Sequence, residues 1–115
     1  MTNVVDLVAA GVALLERAGE SQNGRATQLV HTAPDVGLAQ VLLAIRAGHE
    51  LADHENPGEA TLQGMSGRAL LSAGGDAWSV SAGRLLVIPR RRHAVVAEED
   101  FVGLLTILRS QEGRS

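Results

Sequence analysis

The chain has 115 residues, 45% of them hydrophobic and 20% charged, and its ten basic against 13 acidic residues leave a formal charge of -3. One domain of this length buries about two thirds of its unfolded surface in a single core. With no cysteine, no lysine, one tryptophan (Trp78) and one phenylalanine (Phe101), disulfides, thiolate zinc sites, Schiff-base chemistry and the stacking platforms of nucleic-acid binders are excluded.

No apolar run approaches the roughly 20 residues of a membrane span. Met1-Thr2-Asn3 carries no basic segment of a secretory signal, so a cytoplasmic protein without membrane or nucleic-acid partners is expected. Residues 4–18 place Val4, Leu7, Val8, Leu14, Leu15 and Ala18 on one stripe, with Asp6, Glu16 and Arg17 off it, which predicts an amphipathic helix. Asn3 stands at its N-cap position and Gly19 at its C-terminal end. Residues 20–24 read as a linker.

From Gly24 onward the apolar period is two. The pattern predicts strands over 25–32, 38–46, 49–54, 59–65, 67–72, 76–81, 84–88, 92–97 and 101–108, an all-β body over 25–108. Turns are marked by Ala33-Pro34-Asp35, Gly74-Gly75-Asp76 and Glu98-Glu99-Asp100, and residues 111–115 are expected to fray. Many short strands at this spacing indicate a sandwich or a small barrel, and a barrel leaves fewer open edges. Strand 38–46 is apolar on both alternating faces, so either the helix or a second copy of the chain must cover it. A single domain over 1–115, paired as a homodimer, is therefore expected.

The stretch from Gly48 to Gly67 concentrates the chemistry. His54 stands before a Pro57-Gly58 turn, at the end of one strand and the start of a hairpin, where a side chain can enter a cavity. Gly48 is followed after five residues by His54, and the segment closes at Gly67; Gly83 is followed after five residues by Pro89, with His93 four residues on. In this the chain resembles the cupins, small conserved-barrel proteins, over about residues 38–108. The NPGEATLQ stretch is similar to that of small single-domain bacterial cupins, mostly without an assigned activity. The resemblance implies a double-stranded β-barrel of jelly-roll form, preceded here by the one N-terminal amphipathic helix.

In cupins that hold a metal, two motif-one histidines, a glutamate and a motif-two histidine converge. The resemblance carries these positions to His54, Asn56, Ala60 and His93, so two of four ligands remain. Asparagine is a poor ligand for a transition metal and alanine is none. The expected protein is a small-molecule-binding or regulatory barrel with a degenerate metal site, its cavity carrying His54, Asn56 and His93 and no bound metal. The alternative is a metal-dependent oxygenase or isomerase holding manganese, iron, nickel or zinc on His54 and His93, completed by Glu59, Gln63 or water. Glu59 and Gln63 are out of phase with position 60, and His49 with His54, so alternation turns them to the opposite face unless a bulge re-aims them. Arg90, Arg91 and Arg92 form either a cationic lip for an anionic ligand or a solvated turn. His31 has no partner in the sequence, and no serine stands in a nucleophile-elbow motif.

Overall fold

The computed structural model describes residues 3–54 and 58–109, with the backbone alone at Asp53 and His54. Helix α1 spans Leu7–Glu20 rather than 4–18. Its start is set by Asp6, not Asn3: Asp6 is extended, and its carboxylate accepts the N–H of Ala9 at 3.0 Å. Gly19 stays helical, and the helix ends where the Ser21 N–H donates to the Ala18 carbonyl at 3.2 Å.

Nine strands follow, β1 (Arg25–Ala33), β2 (Leu38–Ile45), β3 (Glu50–His54), β4 (Gly58–Ser66), β5 (Arg68–Ala73), β6 (Asp76–Ser81), β7 (Leu85–Val87), β8 (His93–Ala97) and β9 (Phe101–Arg109). A short 3-10 turn, Pro34–Val36, joins the first two. Each strand overlaps a run expected from the period-two pattern, with shifts only at the ends. They form two antiparallel sheets, ordered β1-β2-β9-β4-β7 and β3-β8-β5-β6. Alternate residues from both sheets fill one core, in which Leu43, Ile45, Leu62, Leu71, Val80 and Phe101 are almost wholly buried. This is the expected all-β jelly roll with an N-terminal helix.

Strand β2 is covered on both faces. Leu43 and Ile45 enter the barrel, while Leu42 and Ala44 pack with Leu14 and Ala18 of α1 and with Val102. The helix is therefore the covering element. The buried Gly11 lies against β9, where a Cβ would come within 3.1 Å of Val102 Cγ1. Because the seat runs through Gly11, Leu14 and Ala18, Val8 falls outside the stripe the sequence gives it, 73% exposed, while Val4 precedes the helix and is 90% exposed.

The chain crosses from one sheet to the other at Gly67, in a left-handed conformation with φ +74°, where a Cβ would overlap the Asp100 carbonyl oxygen. The acidic turn behind it is tied to its surroundings. Asp100 accepts the Ala47 N–H at 2.9 Å and lies 3.5 Å from Arg46, and Arg68 pairs with Glu98 and Glu99. That end of the barrel is thus laced by charge. The opposite end, where β3 stops and β4 and β8 begin, carries the candidate site.

Candidate functional site

Strand β3 ends at His54 and β8 begins at His93, and the antiparallel register pairs these two residues. The pairing slips between Leu51 and His54, an irregularity that resets the phase of β3 as it reaches the barrel end. The His54 side chain and all of Asn56 lie outside the described residues. His93 is 6% exposed and is the one buried polar or charged residue among those described. It shares the inward phase of β8 with Val95 and Ala97, both in the barrel core.

The His93 ring is held from outside. Its Nδ1 lies 2.8 Å from the Arg91 carbonyl oxygen. A carbonyl only accepts, so Nδ1 carries the hydrogen and, in the neutral ring, the lone pair lies on Nε2.

In the other sheet, Ala60, to which the resemblance carries the glutamate, is 2% exposed within the core. Its carbonyl accepts the N–H of Ile88 at 3.0 Å, which seats the buried Ile88 beside it. Glu59 and Gln63 face away. Glu59 is exposed with its carboxylate 3.6 Å from Arg90 Nε, and Gln63 is exposed on the outer face of β4. Glu59 is therefore not re-aimed toward the barrel core. Among the described residues no group of three histidine, aspartate or glutamate side chains is placed to hold a metal. The described donors, an imidazole and an outward carboxylate, do not fit the three protein ligands of even an open catalytic site.

The arginine run divides. Arg90 Nε donates to the Gly58 carbonyl at 3.1 Å besides its pairing with Glu59, while Arg91 pairs with Asp76 at 2.6 Å and lies 5.9 Å over the Trp78 ring. Both arginines are thus paired with acidic neighbours at the surface. Sequence reasoning missed these partners, because the hairpin that brings Asp76 and Trp78 to Arg91 leaves no periodic trace. His49 is exposed, with its ring against Gly24, in keeping with a rim position. His31 is exposed on β1, far along the chain from His54 and His93.

The sequence matches no family model and no curated protein. Solved structures match closely in fold. A conserved protein of unknown function from Streptococcus pyogenes is 23% identical with a TM-score of 0.72, covering 96% of this chain and 90% of its own. A cupin 2 conserved barrel domain protein from Salinispora arenicola is 21% identical with a TM-score of 0.68, over 96% and 91%. An RmlC-like cupin protein from Desulfovibrio desulfuricans is 27% identical with a TM-score of 0.65, over 73% and 81%. The chain has the fold of the small single-domain cupins. Among the described residues, no helix is long and apolar enough to cross a membrane.

Proposed function

We infer that the chain is a small-molecule-binding or regulatory barrel whose metal site has degenerated, working as a cytoplasmic homodimer. The observation that carries this reading is the pair of facts at β4: a buried methyl at Ala60 and an outward, ion-paired Glu59. Ala60 and Ile88 form an apolar wall with Val95 and Ala97 of β8 in the barrel core, and Ile107, paired with Ala60, packs against it. Such a wall suits a ligand with an apolar body and one group that hydrogen-bonds an imidazole. The test is native mass spectrometry of the untagged protein, followed by denaturing extraction. An organic molecule is expected on the wild type and not on folded His93→Phe; an apo mass for both would count against the reading.

The alternative, a metal-dependent oxygenase or isomerase using His54 and His93, draws on one observation. The bond from His93 Nδ1 to a backbone carbonyl is the outer-shell arrangement that orients imidazole ligands. That reading needs a third protein ligand, which Glu59 and Gln63 do not supply from the outer face. Pairing of two chains is supported by an exposed apolar row, Val8 and Val12 one turn apart on α1 with Val4 exposed in the segment leading into it. An uncharged row of this kind meets its own copy across a two-fold axis without like-charge repulsion.

A further inference from the structure

A cleft of about 490 Å³ opens on the outer face of the five-stranded sheet, between the segment leading into α1 and strands β1, β2 and β9. It lies on the opposite side of the sheet from the barrel core, because Gln40 shares the outward phase of β2 with Leu42 and Ala44, which pack under α1. Val30 and Leu104 are its apolar walls, and Asn3, His31 and Gln40 bring polar groups to it. No carboxylate or guanidinium is among the described residues that line it.

The polar groups are positioned by the fold. Strand β1 slips by one residue between Leu29 and His31, so His31 rather than Val30 stands opposite Gln40. Bulges of this kind re-aim side chains. Gln40 in turn pairs with Thr106 on β9, and its Nε2 donates to the Thr106 hydroxyl at 3.3 Å. One amide hydrogen is thereby used, and the second N–H and the amide oxygen form a coplanar donor and acceptor. His31, Gln40 and Thr106 make one cross-strand row over three strands, flanked by apolar walls.

We propose that this cleft is a second ligand site, separate from the barrel interior, for a small neutral planar amide or lactam. The ring lies against Val30 and Leu104, and its donor and acceptor meet Gln40 and His31. A charged ligand finds no counter-charge there, and its desolvation is not compensated.

The test is 1H–15N NMR titration of the full chain with 2-pyridone, a neutral lactam, and with benzoate and benzamidine as charged controls. The expected result is saturable movement of the Val30 and His31 backbone signals and of the Gln40 side-chain amide with 2-pyridone alone, while the His93 signal stays in place. Gln40→Leu lowers the affinity roughly tenfold, the loss of about one hydrogen bond. Leu104→Trp, which fills the cleft from its wall, abolishes binding while the spectrum keeps its dispersion; it carries the test should Gln40→Leu fail to fold. No movement at these residues up to the solubility of 2-pyridone, equal binding of the charged controls, movement centred on His93, or a dimer interface that buries His31 and Gln40 would each overturn the proposal.

Discussion

At position 60 a methyl group stands where the resemblance calls for a carboxylate, and the consequence is chemical rather than architectural, since Ala60 still faces the core. Restoring the set with Asn56→His and Ala60→Glu should create a four-ligand site on the existing backbone. A metal held at a hundred times its dissociation constant then stabilises the fold by about 2.7 kcal/mol, read as a shift of the melting curve with manganese, iron, nickel or zinc. A well-folded double variant with no shift would show that the assigned phase of residues 54–60 is wrong. Gly67 is a second residue where one atom decides. Gly67→Ala forces a Cβ onto the Asp100 carbonyl and into left-handed backbone, so urea denaturation should show a loss of about 3 kcal/mol. The outward place of Glu59 was legible in the sequence through strand alternation, and the inward place of His93 through the resemblance to the second cupin motif. The bond from Arg91 to Asp76 was not: which arginine of three meets which carboxylate depends on the path of a hairpin fifteen residues away in the chain.

Among the elements, the strands were legible almost to their ends, since apolar alternation bounded by glycine, proline and aspartate is a local signal. The helix was legible as a helix but not in its seat. Apolar side chains mark an arc on its surface, yet the buried face includes Gly11, which carries no apolar signal at all. Its cap is testable in the same way. Asp6→Ala should lower stability by about 1 kcal/mol, whereas Asn3→Ala should leave the melting temperature unchanged. The outward row of α1 makes a further prediction: Val8→Glu with Val12→Glu should convert a dimer to a monomer in light scattering without loss of helical circular dichroism. A monomer mass for the unaltered protein would remove the homodimer.

At the scale of the whole molecule, two sheets enclose a single apolar core that runs from Phe101 to Ile107, and α1 seals the outer face of β2. One end is laced by the Glu98 to Asp100 turn, and the other carries the buried His93 at the start of β8. We propose that a barrel so built holds a small molecule without a bound metal. Elemental analysis of the purified untagged protein, repeated on His54→Ala and His93→Ala, tests it most directly. The account predicts no stoichiometric transition metal in the wild type and no change in either variant. One metal per chain in the wild type, lost in both variants, would contradict it.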